Sequence, residues 1–328
     1  MNYFKKIGMT ALAASLVSTS VFAGEVTVSG SASMAVENYS SAGSIQAGKG
    51  FSMGNQLTFT GGGELDNGLT VGISFVLDQG DDGTTTGTAH NGTSPFDNHS
   101  ISISSDSMGT FVMHGEGGSN AQAAIDTTAA GDIWDTFDGA TTGTTVSSST
   151  SGGDILVYAL PSMVDGLAVS ASYVPAGSAD ASDTSYVLTY TGVEGLSVSY
   201  GSGSNDSPAG TATDSDTDTL KASYAYGPVT IAYSDTSHDS NTATADQDVT
   251  SFKLSYTVSD AISISYGEED IASGTTTDVD ASYSRISASY TAGGMTVSGN
   301  MSEMENGTYT TAVAGDEEYY GLSLSFAF

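Results

Sequence analysis

The sequence contains no cysteine, and only six lysines and arginines against 38 aspartates and glutamates. The first absence excludes a disulfide framework and any thiolate metal site. The second leaves a formal net charge of −32, which excludes a polyanion such as nucleic acid as a partner. Tryptophan occurs once, and no run of 18 or more apolar residues occurs at all. No segment is therefore long enough to cross a bilayer as a helix. A membrane barrel survives that exclusion, because each of its strands needs only about 9–11 residues with one apolar face. With 41 glycines in 328 residues the chain is also poorly supplied for one large apolar core.

What is present begins with an export signal. Lys5 and Lys6 form a positive start, Ile7 to Val17 an apolar stretch too short to span a membrane, and "VFA" before Gly24 a small-residue cleavage site. Residues 1–23 read as a signal peptide and 24–328 as the mature domain, whose charge falls from −32 to −34 once the two lysines are gone.

Alternation of apolar and small polar residues then recurs to the end of the chain. In "LTVGISFVL", Leu69, Val71, Ile73, Phe75 and Leu77 share one face. The same pattern runs through "LAVSASYV", "TLKASYAYG", "SFKLSYTVS" and "AISISYG". Tight-turn signals sit between such segments, among them Asn67-Gly68, Asp165-Gly166, Glu194-Gly195 and Gly293-Gly294. From Gly166 onward the restarts are 29 to 34 residues apart, so the repeating unit is a hairpin plus one long loop.

The spacing predicts sixteen strands, the first near Glu25, the second near Met53, the tenth near Asp218 and the last near Asp316. Long loops rich in Gly, Thr, Ser and Asp follow the odd strands and short turns the even ones. A soluble β-sandwich accounts for the alternation but not for this asymmetry. The predicted fold class is all-β: a closed antiparallel transmembrane β-barrel of about sixteen strands with one oversized loop after the fifth.

The chain ends "EEYYGLSLSFAF", with Tyr320, Leu322, Leu324, Phe326 and Phe328 on one face. Together with the signal peptide, the sixteen-strand rhythm and one oversized loop after the fifth strand, this ending resembles the Gram-negative general-diffusion porins over the whole mature chain. The resemblance implies an outer-membrane channel for passive diffusion of ions and small hydrophilic solutes, surrounded by outer-membrane lipids and working as a homotrimer. It also implies that Phe328 is read by the outer-membrane assembly machinery, and that the last strand closes the barrel against the first.

The oversized connection runs from Ser119 to Gly153, and the resemblance makes it a loop that folds inward into the barrel and narrows the pore. "AQAAI" reads as a helical turn, and Trp134 and Phe137 as anchors on the inner wall. The loop acids are Asp126, Asp132, Asp135 and Asp138; the last three stand three apart, a spacing that would present carboxylates to the lumen or share a calcium ion. The same acids read equally as solvated loop residues.

Basic residues are informative because so few exist. Alternation turns Lys221, Lys253 and Arg285 to the lumen from the tenth, twelfth and fourteenth strands, each five residues before the last outward residue of its strand. At about 3.3 Å per residue and roughly 45° tilt, that places all three about 12 Å above the periplasmic rim. The resemblance implies a basic wall opposed to the loop acids. Other acids, including Asp81, Asp82, Asp214, Asp216, Asp218, Glu268 to Asp270 and Asp316 to Glu318, are expected in extracellular loops, where they favour cations.

No histidine sits in a hydrolase motif, so no catalytic residue is assigned and no cofactor is required. An exported acidic, calcium-binding β-roll or adhesin is the alternative. It would need tandem G-G-x-G-x-D units, which do not occur in series.

Overall fold

The structure of the protein is a computed structural model describing residues 26–40, 48–78, 98–125, 128–137, 146–147, 149, 151–175, 182–206, 214–242, 245–274, 279–309, 311 and 315–328. The signal segment 1–23 and the acids Asp81, Asp82, Asp126 and Asp138 lie outside the described residues.

Sixteen antiparallel strands close into one barrel. The first eight are β1 (Thr27–Tyr39), β2 (Gly48–Glu64), β3 (Thr70–Asp78), β4 (Asn98–Ser105), β5 (Gly109–Glu116), β6 (Ile155–Ala159), β7 (Leu167–Val174) and β8 (Ser182–Tyr190). The second eight are β9 (Leu196–Asp206), β10 (Ser215–Tyr226), β11 (Val229–Ser240), β12 (Gln247–Ser259), β13 (Ile262–Ser273), β14 (Ala281–Ala292), β15 (Met295–Glu305) and β16 (Glu317–Ala327). Order around the ring follows the chain, and β16 returns to pair with β1 from Ser31↔Ala327 to Asn38↔Tyr320. Closure leaves no sheet edge exposed to hydrocarbon. A calcium β-roll is a different architecture, since its strands run parallel.

The faces divide as the alternation dictates. Leu220, Tyr224, Phe252, Leu254, Tyr256, Ile286 and Tyr290 stand exposed on the outside, while their strand neighbours Thr217, Thr219 and Ser251 are buried within. In water such a belt would be an extended apolar patch; in a bilayer it is the stable arrangement. At the rim of the long loops the belt ends in tyrosines. Tyr200 donates to Asp218 at 2.8 Å, Tyr233 to Asp235 at 3.1 Å, Tyr320 to Glu318 at 3.0 Å and Tyr266 to Glu268.

These pairs correct one expectation. Asp216, Asp218, Glu268, Glu269, Asp270, Glu317 and Glu318 are strand residues of β10, β13 and β16, not loop residues. The backbone ladder continues above the hydrocarbon because strand neighbours satisfy each other at any height, whereas a carboxylate needs only to stand clear of the lipid tails. For the same reason β2 begins at Gly48 rather than near Met53, its polar start pairing Lys49 with Asn38.

At the opposite rim the turns are tight. Gly195 has φ +77°, and a β-carbon there would lie 2.3 Å from the Ala225 carbonyl oxygen, so only glycine fits.

Candidate functional site

Between β5 and β6 the chain turns into the barrel. Gly118–Ser119 pairs with Ser151–Gly152 to form a short neck. Beyond it, Ala124 N donates to the Asn120 carbonyl at 3.1 Å and Ile125 N to the Gln122 carbonyl at 2.9 Å, so "AQAAI" does form a helical turn. Trp134–Phe137 makes a 3-10 helix.

This loop is fastened to the lumen wall strand by strand. Asn120 Nδ2 donates to Asp183 of β8 at 2.8 Å and Ala121 N to Ser172 of β7 at 2.8 Å. Gln122 reaches Ser185 of β8 through its backbone N at 3.2 Å and Thr219 of β10 through Nε2 at 2.8 Å. Ala129 N donates to Ser234 of β11 at 2.8 Å and Ala130 N to Ser251 of β12 at 2.9 Å. The wall here is small, which lets the loop lie flush. A β-carbon on Gly267 would sit 2.7 Å from that of Ala130.

The far end of the loop rests on Glu269 of β13, a carboxylate with no exposed surface. Glu269 accepts from Thr128 Oγ1, and from Trp134 N at 3.1 Å. Around it Ile133, Phe137, Val249, Ile271, Ala281, Tyr283, Met304 and Tyr319 form an apolar cluster inside the barrel, with Trp134 packed against it. Phe137 stands 5.9 Å from Tyr283, ring to ring. The expected anchoring role of Trp134 and Phe137 thus has a definite counterpart: lumen-facing apolar residues that water would otherwise wet.

The basic residues lie on the lumen side, but two of them lie beneath the loop rather than across from it. Lys253 Nζ donates to the Ala130 carbonyl at 3.4 Å and Arg285 Nη1 to the Gly131 carbonyl at 3.4 Å. Arg285 also reaches Thr136 Oγ1, and through Nε Ser302 at 3.1 Å. Lys253 and Arg285 both pair across Gly267, so they share one row, about 10 Å apart. Lys221, opposite Ser234, is displaced from that row by two residues along β11. The expected basic wall opposing the loop acids is corrected accordingly. Loop carbonyls are themselves acceptors left over by an irregular backbone, and cations on the supporting wall satisfy them.

The acids also separate. Asp132, at φ +50°, turns its carboxylate back to accept from Thr128 N at 3.0 Å, while Asp135 sits exposed on the 3-10 helix. The two are thus not stacked on one helical face. Among the described residues no group of three or more His, Asp or Glu side chains is arranged to hold a metal ion. Asp132 and Asp135 instead line a polar recess of about 470 Å3 with Glu37, Tyr39, Thr136, Arg285 and Tyr319. Across the lumen, the middle of β2 to β4 presents Thr58, Thr60, Gly72, Ser74, Ser100 and Ser102, all uncharged.

Sequence reasoning missed Glu269 and the small-residue shelf. Their signal was available: Val249, Ile271, Tyr283 and Met304 are apolar at inward positions, and an apolar patch inside a watery lumen implies a cover. Phe328 lies at the closure seam, where its N and O exchange hydrogen bonds with Gly30 at 3.0 and 2.7 Å and its ring lies over that glycine.

An outward-apolar barrel with a loop fastened across its interior defines a membrane channel. A family model for Gram-negative porins matches residues 8–290. The chain belongs to the Gram-negative porin family, and its place is the outer membrane.

Solved structures agree in fold. An anion-selective porin from Comamonas acidovorans is 17% identical, with 93% of this chain and 100% of that one covered and a TM-score of 0.69. A porin refined at 1.8 Å is 20% identical, with coverage of 93% and 100% and a TM-score of 0.68. A loop-deleted OmpT, an outer-membrane protein of Vibrio cholerae, is 15% identical, with coverage of 93% and 99% and a TM-score of 0.69. No curated protein sequence matches the chain.

Proposed function

We propose that the chain forms a water-filled channel for small hydrophilic solutes and ions that is moderately cation-selective, with its narrow part between the inserted loop and the wall of β2 to β4. The observation that carries this reading is the asymmetry of charge around the loop. Asp132, Asp135 and Glu37 line the recess at its tip and outnumber Arg285, which lines it with them, whereas Lys253 hydrogen-bonds a loop carbonyl and the middle of the wall across the lumen is uncharged. Asp126 and Asp138 add to the loop's negative charge in this reading, and Lys221 is the wall cation that tempers it. The mature charge of −34 favours cations at the mouth as well.

Export by residues 1–23, assembly through a C-terminal strand ending in Phe328, and a homotrimeric state complete the proposal; the family and the terminal pattern support them. The calcium reading of Asp132, Asp135 and Asp138 is not needed for conduction. The comparison with an anion-selective porin makes selectivity the point to test.

The test is the reversal potential in a salt gradient across a planar bilayer, for the wild type and for Asp132→Asn with Asp135→Asn. The double variant keeps an acceptor for Thr128 N and removes two charges. Cation preference should fall, most clearly in dilute salt, because at 1 M the screening length is only about 3 Å. An anion preference in the wild type, or an unchanged potential in the variant, would overturn the reading.

A further inference from the structure

The loop tip does not rest on one side of the barrel alone. Beyond Glu269 and Arg285 it reaches both strands of the closure seam, the one place where the two ends of the sheet meet. Tyr39 of β1 donates to the Thr136 carbonyl at 3.0 Å. Its ring contacts that of Tyr319 of β16, centroids 4.8 Å apart, and Tyr319 donates back across the seam to Glu37 of β1 at 3.3 Å. Arg285 holds the same threonine through Oγ1. Tyr319 also belongs to the apolar cluster that buries Ile133 and Phe137 of the loop. The seat of the tip is therefore composite, and it exists only after β1 and β16 have paired.

We propose that Tyr39 and Tyr319 are positioning residues for the constriction, and that docking of the loop tip is coupled to closure of the β1–β16 seam. A barrel with an open seam lacks the part of the seat that β1 and β16 supply, so its loop tip is held less firmly. By reciprocity a docked tip holds the seam shut, to the same extent that the shut seam holds the tip. One neutral hydrogen bond, Tyr39 to Thr136, sets the scale at about a five-fold shift in the docked-to-undocked ratio.

The sequence has no cysteine, so engineered thiols are unambiguous. Ala129→Cys places a reporter in the docked loop itself, where Ala129 is buried. Met34→Cys with Leu324→Cys places a pair across the seam, where these residues are register partners facing lipid and cannot reach the reporter through the wall. The experiment follows maleimide labelling of the reporter in the full-length folded protein as temperature rises. Oxidising the seam pair should slow labelling several-fold, and Tyr39→Phe should speed it about five-fold. Tyr39→Phe should also raise single-channel conductance, a readout that a tyrosine serving only the stability of the barrel would not move. Labelling that ignores the seam lock would overturn the coupling. Labelling that responds to the lock but not to Tyr39→Phe would overturn the role of Tyr39. Because labelling does not depend on ion flow, either result is separable from the selectivity of the channel.

Discussion

Replacing Glu269 by alanine tests whether the loop is held where the pore needs it. The carboxylate accepts from Thr128 Oγ1 and from Trp134 N, the donors at the two ends of the turn that carries Asp132. A hydrogen bond to a charged group contributes about 1.5–3 kcal/mol, so losing both costs the docked loop about 3–6 kcal/mol. A loss of about 3 kcal/mol already shifts the docked-to-undocked ratio by about two orders of magnitude. The cost falls on the loop alone, since no strand pairing uses this side chain and the β12–β13 and β13–β14 ladders bond through backbone. Apolar contacts of Ile133 and Phe137 oppose release, so the expected state is a loop that samples undocked positions rather than one expelled. Single-channel conductance should rise with added open-channel noise, and larger polyethylene glycols should enter the pore. Glu269→Gln retains an acceptor for one donor and should fall between. A Glu269→Ala channel with wild-type conductance and polymer cut-off would refute the argument.

Two further outcomes follow from the barrel. Spin labels placed one at a time from Leu69 to Leu77 should alternate between lipid-accessible and water-accessible, and uniform accessibility would contradict the outward assignment of Val71, Ile73 and Phe75. Phe328→Asp puts a charge at the lipid-facing end of the seam beside Gly30, and folded protein in the outer membrane should fall sharply while export continues; normal yields would count against a role for this residue in assembly.

Period-two patterning needs only local sequence to be read, because in a strand it fixes which side chains meet lipid and which meet water whatever the rest of the chain does. For that reason the number of strands, the outward faces and the rhythm of turns and loops were legible from residues such as Leu69 to Leu77 and Tyr320 to Phe328, while the inward fold of the long connection and the closing pair of strands were implied by the family resemblance. The family likeness rested on the same pattern. The inner surface was a different matter. Whether a lumen-facing lysine or arginine meets water, an acid or a loop carbonyl depends on where a connection of more than thirty residues comes to rest, and alternation carries no information about that. Lys253 and Arg285 looked like a wall facing the loop and are part of its support. Glu269 looked like a solvated acid and is the buried post on which the turn rests. These assignments came only from tertiary structure, since the partners of each group are supplied by strands far apart in sequence and brought together by closure of the ring.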